Sequence, residues 1–385
     1  MFHPFNQLRE EKLRLLCSIL LALLALDVFA VVPPPPPINA RAYVLTDFHT
    51  GKVLAGSHAD ERMEPASITK VMTAYVVAEE LKAGHVRPDD PVPVSEKAWR
   101  MEGSRMFIEV GDTVPLKTLL EGMIVQSGND ASVALAEYVA GSEEAFAALM
   151  NQAAQRLGMT NSHFANSTGL PDPEHYTTAH DIARLSAALI RDHPEIYGLF
   201  SVREMTWNGI RQHNRNRLLW RDPSVDGIKT GHTSSAGYCL AASAERNGMR
   251  LISVVFGTES EKARERATQA LLNYGFRFFE TRRLYDAGQE IGRAPVWMGV
   301  EEEVPFGLQE ELWLTLGRGD FQRLKATVEL QDPLLAPVAQ GQTIGRLKLA
   351  VEQEVVGDHP LAALKSVEEG GLWKKARDQV RLWLR

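Results

Sequence analysis

The chain has 385 residues, 44% hydrophobic and 24% charged, with a formal net charge of −7. That length exceeds a single compact core and predicts two domains. The acidic balance argues against a general nucleic-acid partner, and the glycines form neither a phosphate loop nor a dinucleotide fingerprint.

From the N-terminus, Arg9, Lys12 and Arg14 precede a short apolar run, Leu15 to Leu26, followed by Val28-Phe29-Ala30. Residues 1–30 therefore read as an export signal cleaved after Ala30; the run is short for a membrane span, and an uncleaved anchor is the alternative. Cys17 lies within the run as an apolar filler. Without it Cys239 is the only cysteine, so no intrachain disulfide forms, and its strand-like setting predicts a small buried hydrophobe. Pro33 to Pro37 give residues 31–39 the character of a stiff, extended leader off the membrane.

Residues 40–54 suggest a strand, a turn at Thr50-Gly51 and a second strand. A helix is expected over 66–81, with Pro65 just ahead and Ser67 in its first turn. Helices follow over 116–125, 130–140 and 142–157, and another over 181–191 after the polar loop Gly169-Leu-Pro-Asp-Pro. Short strands over 227–230, 238–244 and 251–256 precede an amphipathic helix over 260–279. This order predicts an α+β catalytic domain, residues 40–282, with an antiparallel sheet and a helical subdomain. Beyond about Arg283 the alternation of Leu312, Leu314 and Leu316, and of Leu347, Leu349 and Val351, predicts a small all-β domain over 283–369. Glu301 to Glu303 read as a solvated face. In residues 370–385, Trp373, Ala376, Val380 and Trp383 share a helical face, while Lys374, Lys375, Arg377, Arg381 and Arg385 outnumber Asp378. That pattern predicts an amphipathic helix on an anionic membrane surface, with Gly370-Gly371 as a hinge; a helix packed on the protein is the alternative.

Three separated motifs carry the chemistry: Ser67-Ile-Thr-Lys70, Ser127-Gly128-Asn129 and Lys229-Thr230-Gly231. Ser67 and Lys70, three apart on one helix, project from the same face, so the amine can take the hydroxyl proton and make Ser67 a nucleophile. Lys70 must be largely neutral to do so, through burial or a nearby cation, for which Lys229 is the candidate. Ser127 can relay a proton to a leaving amine, and Asn129 can hold a substrate amide. Lys229 and Thr230 on an edge strand can bind a carboxylate. The backbone N–H groups of Ser67 and His232 can form an oxyanion hole, and a peptide can lie along the strand by β-augmentation. Arg215 is a candidate second carboxylate clamp, beside Arg217. No His-Glu-x-x-His spacing supports a zinc peptidase, and no metal or other cofactor is implied.

These motifs, with Glu64-Pro-Ala-Ser-Ile-Thr-Lys70, Gln126-Ser-Gly-Asn-Asp-Ala131, Asn166-Ser-Thr-Gly-Leu-Pro, Asn214-Arg215-Asn216 and Val225 to Thr233, resemble the low-molecular-mass penicillin-binding proteins of the serine D-alanyl-D-alanine carboxypeptidase type. The resemblance spans about residues 38–385. It implies a penicillin-recognising domain like that of serine β-lactamases and transpeptidases, then a small β domain and an amphipathic anchoring helix. It also implies removal of the terminal D-Ala from peptidoglycan pentapeptide stems at the periplasmic face of the inner membrane, through a Ser67 acyl-enzyme with Lys70 as base. Ser127, Asn129, Lys229, Thr230, Gly231, His232 and Arg215 would bind substrate or assist proton transfer, and β-lactams would acylate Ser67. Three rivals remain at this point: a β-lactamase, although Glu174 lacks the neighbours of a deacylating loop glutamate; a D,D-endopeptidase on cross-links; and a non-catalytic peptidoglycan-binding scaffold.

Overall fold

The computed structural model describes residues 32–384; the expected export signal lies outside them. A five-stranded antiparallel sheet organises the larger part. Its strands are β1 (Ala42–Asp47), β2 (Val53–Ser57), β3 (Val225–Thr233), β4 (Gly237–Arg246) and β5 (Met249–Thr258), in the order β2-β1-β5-β4-β3. The early hairpin thus joins the late meander through β1 and β5, where Val44 pairs with Val254. Strand β3, which carries the third motif, is left at an edge.

Helices cover the sheet and build a helical subdomain: α1 (Lys70–Ala83), α2 (Leu116–Val125), α3 (Asn129–Ala140), α4 (Glu143–Arg156), α5 (Ala179–Asp192) and α6 (Glu261–Phe278). Local chemistry sets their ends. Ser142, Thr178 and Ser260 accept from Ala145, Asp181 and Ala263 N–H groups at the starts of α4, α5 and α6. Gly84 and Gly141 close α1 and α3 in left-handed geometry. Helix α1 is the centre of the subdomain, with every residue from Lys70 to Ala78 buried. A helix apolar on all sides has to be surrounded, and α2, α3, α4 and α5 surround it.

The expected strands and helices are present, most strands running longer than their apolar cores because pairing continues past the last buried side chain. Two readings change. The proline stretch is no free leader: Val32 and Ile38 pack onto the cluster holding Tyr274 and Phe279, and the Tyr274 hydroxyl donates to Pro33 O at 2.9 Å. Proline cannot donate, but its carbonyl accepts, and two apolar residues pin the segment. Ser67 also sits in a single 3₁₀ turn, Ala66–Thr69, that runs into α1.

The second part is all β. Strand β6 (Phe279–Tyr285) pairs with β9 (Leu312–Gly317). A five-stranded antiparallel sheet runs β7 (Glu290–Pro295), β8 (Glu303–Gly307), β12 (Glu354–Ala363), β11 (Thr343–Val351), β10 (Leu324–Leu330). Between them lies a core that includes Leu314, Leu316, Leu347 and Leu349. The two parts are joined by the buried Asp47, whose carboxylate accepts from Thr50 N and Oγ1 at 2.8 and 2.9 Å and from Thr281 Oγ1 at 2.6 Å. Thr315 Oγ1 closes the network at 2.8 Å from Thr50 and 2.9 Å from Thr281, and the His49 ring stacks on Trp313 at 3.7 Å. A final helix, α7 (Leu372–Trp383), follows the β domain. No described helix is long and apolar enough to cross a membrane.

Candidate active site

The cleft forms where the Ala66–Thr69 turn, the start of α3 and the edge strand β3 meet. Two residues here hold a left-handed backbone without being glycine: Ala66 at φ +48° and Ser127 at φ +66°. Such conformations cost about 1–3 kcal/mol and persist where surrounding packing dictates them. Two glycines let the packing close. A Cβ on Gly169 would stand 1.8 Å from Ala66 O, and one on Gly231 would stand 3.0 Å from Pro65 O. Only a bare backbone therefore lets the 166–171 loop and β3 approach the Ser67 turn this closely.

Lys70 is fully buried, and its Nζ has three polar neighbours: Ser67 Oγ at 3.1 Å, Asn129 Oδ1 at 2.7 Å and Thr168 O at 2.6 Å. Two of these are carbonyl oxygens, which can only accept. A neutral amine has two hydrogens and one lone pair, so both hydrogens go to the carbonyls and the lone pair is left for the Ser67 hydroxyl. The arrangement orients a base. Burial is the main influence that brings the Lys70 pKa down to about 7, and the Arg215 cation adds to it, against the opposing Asp130 and Glu143 carboxylates. The second influence is thus Arg215, where the sequence suggested Lys229.

Lys229 is also buried, its Nζ bonding Ser127 Oγ at 2.9 Å and Thr230 O at 3.2 Å. Burial first, then the Lys70, Arg215 and Arg264 charges, hold its pKa well below the ordinary lysine value. Ser127 therefore meets Lys229 directly. Asn129 has a partner at each end of its amide: Oδ1 accepts from Lys70, and Nδ2 donates to Glu102 O at 2.6 Å. Arg215 lies exposed beside the second motif, its Nε donating to Gln126 O at 3.1 Å. With Arg217 it lines a groove of about 340 Å³. Thr230 and Gly231 follow Lys229 on β3. His232 is exposed further along the strand, tilted over Tyr238 at 4.0 Å. The structure thus brings Ser67, Lys70, Ser127, Asn129, Lys229, Thr230, Gly231 and Arg215 around one cleft, with His232 at its rim.

Several supporting residues were not singled out in the sequence. Glu143, paired with Lys97 at 3.0 Å, accepts from Ser167 N and Oγ at 3.1 and 2.8 Å, fixing the loop that presents Thr168 O. Asp130 accepts from Met106, Phe107 and Ile108 N–H groups at 2.9–3.3 Å and so ties α3 to the cleft wall. His175 Nδ1 accepts from Ala165 N, so its Nε2–H donates to Thr69 Oγ1 at 2.8 Å. Burial lowers its pKa to about 4 and keeps it neutral. Arg264, from the first turns of α6, reaches Gly231 O at 3.3 Å beneath β3. Only the strings Gln126 to Ala131 and Asn166 to Pro171 signalled any of this. Cys239 is buried, and burial pushes its thiol up to about 11, so it is unsuited to be a nucleophile.

Residues 29–260 match a family described as D-alanyl-D-alanine carboxypeptidase, and residues 279–369 match the C-terminal domain of penicillin-binding protein 5. The D-alanyl-D-alanine carboxypeptidase DacA of Escherichia coli (strain K12) is 42% identical over 365 residues, covering 93% of this chain and 91% of that protein. DacC of the same strain is 44% identical over 355 residues, covering 90% and 89%. The crystal structure of penicillin-binding protein 5 from Haemophilus influenzae superposes with a TM-score of 0.85 at 42% identity, covering 88% of this chain and all of that one. These relatives favour the carboxypeptidase over the lactamase, endopeptidase and scaffold readings.

Proposed function

The chain belongs to the D-alanyl-D-alanine carboxypeptidase family of serine hydrolases, and on that premise we propose that Ser67 is the nucleophile that attacks its D-Ala–D-Ala substrate. The observation that carries this is the pair of carbonyls on Lys70 Nζ, which leaves one lone pair for the Ser67 hydroxyl 3.1 Å away. Lys70 takes the Ser67 proton as the Oγ–C bond forms, and the N–H groups of Ser67 and His232 receive the developing oxyanion. The proton then passes from Lys70 through Ser127 to the D-Ala nitrogen as the C–N bond breaks. Water repeats the sequence in reverse: it gives a proton to Lys70, attacks the acyl carbon and returns Ser67 to its hydroxyl form.

Lys229 Nζ holds the Ser127 hydroxyl at 2.9 Å and so positions it. Thr230 and Arg215 hold the terminal carboxylate, Asn129 aims Lys70, and the substrate strand lies along the open edge of β3. β-Lactams acylate the same oxygen, because their strained amide resembles D-Ala–D-Ala. Cell-wall relatives support a periplasmic location after export through the N-terminal segment, with attachment to the inner membrane through α7. The test is release of free D-alanine from a D-Ala–D-Ala pentapeptide by residues 31–385, beside Ser67→Ala. Loss of release in the variant, with its fold intact, is expected; release at the parent rate would reject Ser67 as the nucleophile.

A further inference from the structure

Helix α7 is docked the wrong way round for a helix held by its apolar stripe. Trp373 is 92% exposed, Trp383 84% and Leu372 86%, with Val380 and Leu384 also exposed, while Asp378 is only 2% exposed. The polar face is what meets the β domain. Asp378 Oδ2 accepts from Met298 N at 3.0 Å and pairs with Lys374 at 3.1 Å. Lys374 and Arg377 also meet Glu302 at 3.2 and 3.5 Å, and Lys375 pairs with Glu369. Gly370, expected as half of a hinge, instead donates to Met298 O at 2.7 Å, and a Cβ there would stand 3.0 Å from Gly299 O.

An amphipathic helix gains most by burying its apolar side. Here five large apolar side chains face away from the protein while a charged clasp fixes the other side, which suits a second, apolar phase beyond the helix. We propose that α7 inserts its Leu372, Trp373, Val380, Trp383 and Leu384 face into a lipid bilayer while Asp378 keeps it clamped to the β domain. The β domain then stands on the membrane in one fixed pose and is not a body on a loose tether. This rests on the membrane reading of α7 given above. The clasp also engages three of the helix's four described cations with Glu302, Glu369 and Asp378. Insertion of the apolar face therefore supplies the binding, and anionic lipid adds little. One net cation is worth about fivefold in affinity, against roughly 10³-fold for four unpaired ones.

The experiment uses residues 31–385 with spin labels on cysteines replacing Glu329 of β10 and Arg381 of α7, the native Cys239 being buried. The probes are vesicles of phosphatidylethanolamine with and without about a third phosphatidylglycerol. With the label at 381 removing one cation, charge dependence is read on the unlabelled chain. A narrow inter-label distance is expected both in solution and on vesicles, and anionic lipid should tighten binding of the unlabelled chain by no more than about fivefold. Asp378→Ala should broaden the distance, keep vesicle binding and steepen its dependence on anionic lipid. Trp373→Ala with Trp383→Ala should keep the narrow distance and weaken vesicle binding by tenfold or more. A narrow distance in Asp378→Ala, or one that broadens when the parent meets vesicles, would overturn the clasp. A parent that binds neither vesicle would overturn the membrane reading itself, whatever the distances.

Discussion

The rate of Ser67 acylation should report one proton on Lys70. With a pKa of about 7, the amine is neutral in about half the molecules at pH 7, about a tenth at pH 6 and about a hundredth at pH 5. An ordinary lysine would be neutral in only about 4 × 10⁻⁴ of molecules at pH 7, so the fold raises the available base about a thousandfold. The assay is the second-order rate of acylation by a fluorescent penicillin, whose carboxylate stays ionised over about pH 5–8. The rate should rise tenfold per pH unit below the midpoint and level off above about pH 7. Two variants should move that midpoint in opposite directions. Arg215→Gln removes a cation that holds the pKa down, so its midpoint rises. Glu143→Gln removes an anion that holds it up, so its midpoint falls. The midpoint is the readout, because Arg215 also touches the proposed ligand carboxylate and changes the plateau. A flat profile, a midpoint near that of free lysine, or both variants moving the same way would refute Lys70 as the base. Stability carries the same signature. The folded pKa lies below the unfolded one, so the native state binds fewer protons between about pH 7 and pH 10. In that window this group's contribution to stability rises with pH, and below it the cost of burial is at its full value.

Gly169→Ala should destabilise the protein by several kcal/mol and slow acylation, since its Cβ would fall 1.8 Å from Ala66 O at φ +85°; Gly51→Ala, also left-handed but in open space, should cost only about 1 kcal/mol. Thermal unfolding of the pair checks this, and equal losses would reject the close approach as the cause. Asp47→Ala should cost about 2–4 kcal/mol by removing the acceptor of the Thr50 N–H and of the Thr50 and Thr281 hydroxyls between the two domains, and denaturant titration would show it as a lowered midpoint. Cys239 should resist aromatic disulfide reagents at pH 8 in the native state and react on unfolding, because burial holds its thiol near 11. Rapid labelling of folded protein would contradict its placement in β4.

The site was legible because its parts are local strings. Ser67 and Lys70 share a turn by spacing alone, and the third motif lies within a strand-like run that ends up at the sheet edge. What the strings could not convey is which distant groups close on them. Thr168 O reaches Lys70 across 98 residues, and Glu143 holds the loop that delivers it. Arg264 belongs to a helix on the other side of β3. The partners of Asn129 and Lys229 were hidden for the same reason: spacing places each beside the cleft, but packing decides which groups engage them. In the proline leader, composition speaks only of stiffness, whereas Val32 and Ile38 decide where the stiff segment lies.

Two signals were present and undervalued, and both are charges in the wrong company. Asp378 is the single acid in a cationic helix. Its solitude is what a buried hub looks like when its cationic neighbours point inward to meet it. Lys70 opens a helix whose next eight residues, Val71 to Ala78, are apolar but for Thr73 and the Tyr75 hydroxyl and leave no polar face. A helix without a polar face must be buried on every side, and a lysine in its first turn is buried with it. Burial of a cation without a carboxylate bonded to it lowers its pKa, so a neutral amine beside Ser67 follows from the residues after Lys70 as much as from the motif that contains it.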